Sequence, residues 1–535
     1  LSAIRAGGVL LHRHDADACE RLVHFDLPEG RSLLIHDPAR GAPSLFPHPT
    51  LHSPPNCVGF GPGDRVTTSQ TTSPERRRVR VRSGSPARTR PALAPVIGGH
   101  LLVLAPVLAI FIAHFNAGAF AARDSIVLAA VLSGLAVLGA LIWKESAVVL
   151  GARSLWIAGV FLAVPLVVAL IQTLTPGFDR EYTLMALLRL YGMGATFALG
   201  CLIGFDEQRL GRLRLWLCLA TALFAGFCLI HFHLILTHAL PLPLFQKEDR
   251  LFSTFFSANS AALELAIGLM ATGAVAIAEL RGGEADFAGR RRISLLGWLA
   301  LAGAALSFVA IGLTRSRTGI VLTVGVPVLI LLLSGKPTRR KMLMIGLPAA
   351  AAAVLVIGLT LFTRFGEANE ESLRPTIYQA HLGFALDRPL LGHGFGSFPA
   401  LSRAVLNETN FTALHNVGAM HELYLEWLEQ AGWIASAAMA ACALWVLAKL
   451  FSQRSIGRRA SVYWIRGALA ALLIAFGQGL LDFGIEHYSI LLMLVLFAGS
   501  AFGLCQRRDV RMAAAERSTR APSGRLDRAE PAVAS

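Results

Sequence analysis

The chain has 535 residues, 54% of them hydrophobic and only 16% charged, and 49 basic against 34 acidic residues give it a formal charge of +15. A water-soluble surface normally needs about a quarter of its residues charged, so an ordinary soluble protein is excluded. The basic residues sit between apolar blocks rather than along one amphipathic face, which points to the cytoplasmic rim of a membrane protein and away from a nucleic-acid partner.

Residues 1–95 differ from the rest. They are rich in Pro, Ser, Gly and Arg, lack sustained periodicity, and end in Glu75-Arg76-Arg77-Arg78-Val79-Arg80-Val81-Arg82. The first methionine is Met185, inside an apolar block. Two readings stand for this segment: a disordered cytoplasmic tail, or a spurious extension from a misplaced start codon, the second slightly preferred. No apolar run follows its basic residues before the first span, so it lacks a signal-peptide pattern.

From residue 97 the apolar residues come in blocks of about twenty, the length a helix needs to cross the hydrocarbon core. They predict spans at 97–115, 125–143, 154–174, 184–204, 213–236, 260–280, 294–313, 317–334, 342–363, 422–449, 461–481 and 487–505. With the N-terminus in the cytoplasm, the inside loops carry Lys144 and Arg153, Arg209, Arg212 and Arg214, Arg281 and Arg290 to Arg292, Lys336 to Lys341, and Lys449 to Arg459. The short outside loops carry far fewer, as the positive-inside rule expects. The predicted fold is an all-α integral membrane protein of about 12 transmembrane helices. Its membrane domain covers 96–506, one large periplasmic loop spans 364–421 between spans nine and ten, and a disordered basic cytoplasmic tail covers 507–535.

A loop of that length is usually functional or disordered, and this one is not low-complexity. Residues 375–386 form a short amphipathic helix with Pro in its first turn. A glycine-punctuated turn follows, Leu391-Gly392-His393-Gly394-Phe395-Gly396-Ser397-Phe398. No strand precedes it, so it reads as a turn and not as a nucleotide loop. Cys201, Cys218, Cys228, Cys442 and Cys505 lie in apolar blocks, and neither CxxC nor a Cys/His pair at metal-ligand spacing occurs, so no disulfide framework, metal or cofactor is expected.

Four places on the outside half hold polar groups that apolar packing does not explain. Thr314-Arg315-Ser316-Arg317-Thr318-Gly319 joins spans seven and eight; arginines at a bilayer edge either snorkel to headgroups or bind phosphate through their planar forks. Arg374 opens the loop helix, as a solvated charge or a ligand. His415-Asn416 and His421-Glu422-Leu423-Tyr424-Leu425-Glu426 precede span ten; a His there is an interfacial anchor or a general base working near neutral pH. Arg250 through Asn259 precede span six, where the Asn is a helix cap or a ligand. Near midspan stand Arg189 and Glu264, which can satisfy each other as a pair or serve a transport path.

Together these pieces resemble the O-antigen ligase and polymerase family, membrane enzymes that move glycans from a polyprenyl-diphosphate carrier. The motifs carrying the resemblance are Arg250 with Phe255 and Asn259, Ser316-Arg317-Thr318-Gly319, Arg374, Pro389-Leu390-Leu391-Gly392-His393-Gly394-Phe395-Gly396-Ser397-Phe398, and the stretch from His421 to Gly432. The turn Leu480-Leu481-Asp482-Phe483 is similar to that of relatives making exopolysaccharide. Glu422 departs from the pattern, which usually has Asn there.

The resemblance implies a donor glycan linked through diphosphate to a polyprenol and an acceptor hydroxyl on a glycan or a lipid A core sugar. His421 would be the catalytic base, with His415 in reserve, and Arg317, Arg374, Arg315, Arg250 and Asn259 would bind the diphosphate or substrate; Glu422 and Asp482 are further candidates. Attack opposite the leaving group implies inversion, without a metal. The site would face the periplasm from the bacterial inner membrane. Ligase and polymerase differ in an acceptor these residues do not encode. The alternative from another class is a twelve-span transporter or lipid-linked glycan flippase, which the outside position of the long loop disfavours.

Overall fold

The computed structural model describes residues 3–6, 9–13, 22–26, 32–36, 93–240, 250–255, 257–282, 293–334, 374–415, 420, 422–456 and 458–520. The chain divides into two compact units, Leu1–Ala87 and Arg88–Ser535. The first contains an antiparallel meander of four short strands, β1 (Ala3–Ala6), β2 (Val9–Arg13), β3 (Leu22–Asp26) and β4 (Ser32–His36), paired in chain order. Sequence periodicity gave no sign of these strands, each being only four or five residues long.

All regular elements described in the second unit are helical. In chain order they are α1 (Leu93–Phe115), α2 (Ala122–Ile142), α3 (Ser146–Leu150), α4 (Arg153–Leu174), α5 (Arg180–Phe205), α6 (Glu207–Leu236), α7 (Ala258–Gly282), α8 (Leu295–Thr314) and α9 (Arg317–Leu333). After them come α10 (Arg374–Asp387), α11 (Phe398–Ala404), α12 (Phe411–Leu414), α13 (Leu423–Gln453), α14 (Arg459–Gly479) and α15 (Tyr488–Arg520). Among the described residues, nine helices are long and apolar enough to cross a membrane, and two shorter apolar helices lie at His100–Phe115 and Arg317–Leu333. These eleven coincide with eleven of the predicted spans. The remaining one, 342–363, lies outside the described residues.

The bundle is built around α15, whose apolar stretch is almost wholly buried, while α4 shows most of its span to the surroundings. Exposed side chains such as Leu141, Trp156, Leu174, Leu223 and Leu295 are large and apolar, as a lipid-facing surface requires. Since lipid is as apolar as Leu, helices in a membrane gain most from close approach through small residues. The α5–α15 crossing does this. A Cβ on Gly200 would meet the Leu496 carbonyl at 2.7 Å, and one on Gly499 would meet the Phe197 carbonyl at 2.5 Å.

Polar contacts define the two ends of the bundle. At one end Arg209 reaches Glu145 at 2.9 Å and lies over the Trp143 ring. Lys449 pairs with Asp509 at 2.6 Å, and Arg281 donates to the Tyr463 hydroxyl. These loops carry the basic residues of the predicted inside face. The opposite end gathers the C-termini of α1, α4, α8 and α14 and the N-termini of α5, α7, α9, α13 and α15, together with α10 to α12.

Candidate functional site

At this opposite end, the segment before α7 folds back on the α8–α9 step. The Leu251 amide donates to the Leu313 carbonyl at 2.9 Å, and the Arg250 guanidinium donates from Nε to the Thr314 carbonyl at 3.1 Å and from Nη2 to Asn259 Oδ1 at 3.4 Å. Asn259 in turn donates its amide to Asp482, and its carbonyl accepts from Gln478 at 2.7 Å. Arg250, Asn259 and Asp482, far apart in sequence, therefore form one chain of polar contacts. The alternative reading of Asn259 as a helix cap is corrected: the Ser257 hydroxyl accepts the Asn259 amide, which leaves the Asn side chain for Arg250 and Asp482.

The α8–α9 step is made by Arg315 in the left-handed region (φ 51°) and by Ser316, whose hydroxyl caps α9 by accepting the Gly319 amide. Arg315 is exposed and Arg317, the first residue of α9, is half-buried. Arg374 opens α10 as expected, but its side chain falls outside the described residues. Glu422 caps α13 by accepting the Leu425 amide. A carboxylate can thus take the N-terminal amide that Asn, the residue usual in the family pattern, is also able to cap. His421 and Asn416 lie outside the described residues. His415 is exposed, and its Nδ1–H donates to the Phe411 carbonyl of its own short helix, against whose ring it stacks.

The glycine turn after α10 docks on a break in α13. At Gly432 the backbone leaves helical geometry (φ 72°, ψ 175°). The Trp433 amide, which would have bonded to Glu429, donates instead to the Pro389 carbonyl at 2.7 Å. The released Glu429 and Gln430 carbonyls accept the amides of His393 (2.8 Å) and Gly394 (3.0 Å). Helix and turn thus exchange backbone partners across the break, as buried amides and carbonyls require. Burial depresses the His393 imidazole below its usual range, opposed by its bond to the Phe384 carbonyl.

Behind the turn lies a fully buried relay. His381 Nδ1 is 2.7 Å from Glu429 Oε2, and His381 Nε2 is 3.0 Å from the Ser402 hydroxyl. The relay ties α10, α11 and α13 together, with the imidazole stacked on Phe398 at 4.4 Å. One turn earlier on α13, Glu426 accepts the Met420 amide at 3.2 Å.

Deeper in the bundle, Glu264 Oε1 lies 2.9 Å from His114 Nε2 and His114 Nδ1 lies 2.7 Å from the Ser489 hydroxyl, all buried. Rings of Phe111, Phe224 and Phe255 surround the imidazole. Arg189 donates to the Glu486 carbonyl at 2.7 Å and lies over the Tyr488 ring at 5.0 Å. The suggested pairing of Arg189 with Glu264 is therefore corrected: each has another partner. The reason is that α5 presents Arg189 to the 484–488 turn, whereas Glu264 faces α1. Burial drives Glu486 well above the usual carboxylate range, with Glu426 adding to the effect. Burial also lowers His487, which bonds the Ala117 carbonyl, to about 4. Among the described residues no three His, Cys, Asp or Glu side chains gather as metal ligands would.

Sequence reasoning found Arg250, Asn259, Asp482 and the glycine turn, but missed Gln172, Gln430, His114, His381 and Glu486. A buried His in an apolar block was the available signal for His114. Gln172, in the last turn of a span, gave none.

The fold and the site define a multi-pass α-helical membrane protein with its unexplained polar groups collected at one end. Residues 302–440, about a quarter of the chain, match the family model described as O-antigen ligase, in agreement with the motif resemblance. The match spans the Ser316–Gly319 step, α10, the glycine turn and the first part of α13 with its break, and leaves Arg250, Asn259 and Asp482 outside it. No curated protein matches the chain.

Proposed function

We propose that the protein is a glycosyltransferase of the bacterial inner membrane that moves a glycan from a polyprenyl-diphosphate carrier to an acceptor sugar hydroxyl on the periplasmic face. The observation that carries this reading is the chain Arg250–Asn259–Asp482, which holds the first of these residues against the step leading to Arg317, in a protein whose 302–440 segment matches the O-antigen ligase family. The opposite end of the bundle bears the basic loops, and the positive-inside rule assigns that end to the cytoplasm.

In this reading His421 takes the proton of the acceptor hydroxyl as its oxygen attacks the anomeric carbon. Arg317 and Arg374, assisted by Arg315 and Arg250, bind the diphosphate and stabilise the charge that grows as it departs; preplaced donors of this kind are often the largest catalytic term. In-line displacement inverts the anomeric centre. The sugar–diphosphate bond supplies the energy, so no nucleotide sugar is needed outside the cell. The acceptor is another glycan or a lipid A core sugar.

The test replaces His421, Arg317 and Arg374 singly and follows surface polysaccharide and carrier-linked glycan in cells. Loss of transfer in each variant is expected, whereas normal glycan length and attachment in His421→Ala would overturn the mechanism. Accumulation of long carrier-linked chains identifies a ligase. Loss of long chains on the carrier identifies a polymerase.

A further inference from the structure

The glycine turn and the α13 break are joined to the rest of the bundle by two glutamines. Gln172, fully buried in the last turn of α4, donates Nε2 to the Leu391 carbonyl at 2.6 Å and to the Gln430 carbonyl at 3.0 Å. Its Oε1 accepts the Phe395 amide at 3.2 Å. One side chain thus holds both partners of the docked turn, from a helix outside the segment that matches the family. Gln430 continues the chain. Its Oε1 accepts the Gly396 amide at 2.6 Å and its Nε2 donates to Glu426 Oε1 at 2.7 Å. The other oxygen of Glu426 accepts the Met420 amide, and the Met420 side chain sits fully buried with Ile377, Phe398 and Leu414.

Both glutamine side chains on this path donate from the amide nitrogen and accept at the amide oxygen. A carboxylate at 172 could not donate to two carbonyls, and an apolar residue could neither donate nor accept. The path ends one peptide bond before His421. Side chains buried in this way transmit position because their alternatives leave polar groups unpaired.

We infer that Gln172 and Gln430 form a positioning clamp that, through Glu426, sets Met420, the neighbour in sequence of the proposed base His421. The consequence for catalysis rests on the function proposed above; the clamp itself does not. Neither glutamine touches substrate in this reading. They act through the peptide they hold.

The full-length protein in lipid nanodiscs supplies both readouts. Hydrogen–deuterium exchange reports the Met420 amide, and transfer from a polyprenyl-diphosphate-linked glycan to an acceptor glycan reports kcat and KM. Gln172→Leu and Gln430→Leu are expected to speed Met420 exchange at least tenfold and to lower kcat at least tenfold, with the donor KM unchanged within twofold. Glu426→Gln has one oxygen where the carboxylate has two, so it cannot accept from both Gln430 and Met420 and is expected to lose part of the protection, whereas Glu426→Leu loses it entirely. Unchanged exchange in both glutamine variants overturns the clamp even if transfer is lost. Should wild type show no transfer while Gln172→Leu still exposes Met420, the clamp stands and the proposed function falls. A variant that fails to fold is replaced by Gln172→Asn, whose shorter side chain is expected to give the same changes at smaller size; normal Met420 exchange in it overturns the clamp.

Discussion

Gly432 in the broken helix and Gly392 in the docked turn are in mutual backbone contact: a Cβ on Gly432 would meet the Leu390 carbonyl at 2.5 Å, and one on Gly392 the Gln430 carbonyl at 2.5 Å. Both also have positive φ, 72° and 68°. Two glycines that the sequence shows forty residues apart thus serve one joint.

Alanine at either position is expected to open this joint. The left-handed conformation costs a residue with a Cβ about 1–2 kcal/mol, and the backbone contact adds to it, since the Gln430 carbonyl cannot retreat without losing its bonds to Gly394 and Gln172. Gly383→Ala, where a Cβ meets nothing within 4 Å, is the control. Limited proteolysis of the 388–420 region in the purified protein should detect opening in Gly392→Ala and Gly432→Ala but not in Gly383→Ala.

The His114–Glu264 pair gives a second prediction. Removing one partner of a buried pair leaves an uncompensated group and typically costs about 3–5 kcal/mol, while an apolar replacement of both is often neutral. His114→Phe alone should therefore lower the thermal unfolding midpoint sharply, and His114→Phe with Glu264→Leu should recover most of the loss. Additive losses in the double variant would show that the two groups are not coupled.

The Arg250–Asn259–Asp482 chain predicts unequal effects of conservative changes. Asp482→Asn keeps an oxygen able to accept from Asn259 and should lose less transfer activity than Asp482→Leu, which frees Asn259 and releases Arg250. The difference is expected to be about tenfold, equivalent to about 1.4 kcal/mol. Equal losses would show that Asp482 acts through its charge alone.

Acid should destabilise the fold through His487. Its imidazole is depressed from the ordinary 6.5 to about 4 in the folded protein, so between these values the unfolded chain binds the extra proton. Stability then rises with pH over that window and is lost as pH falls from about 6.5 toward 4. Glu486 has the opposite sign: its raised carboxyl holds a proton in the fold, so its contribution falls as pH climbs above the usual carboxylate range. His487→Gln, which retains a donor for the Ala117 carbonyl, should flatten the acid limb of the unfolding midpoint measured from pH 4 to 7.

Hydrophobic block length, by itself, determined the helices. Eleven predicted spans coincide with helices because a bilayer leaves an apolar run of about twenty residues few other ways to satisfy its backbone. The order of short motifs also pointed to the family, since Ser316 to Gly319 and Pro389 to Phe398 are local patterns readable from neighbouring residues. Which polar residues meet was decided only in three dimensions. Nothing local in the sequence joins Asn259 to Asp482, Gln172 to Gln430 or His114 to Glu264. Each pairing depends on which helix ends lie side by side, and a buried polar group takes whatever partner that packing brings within about 3 Å.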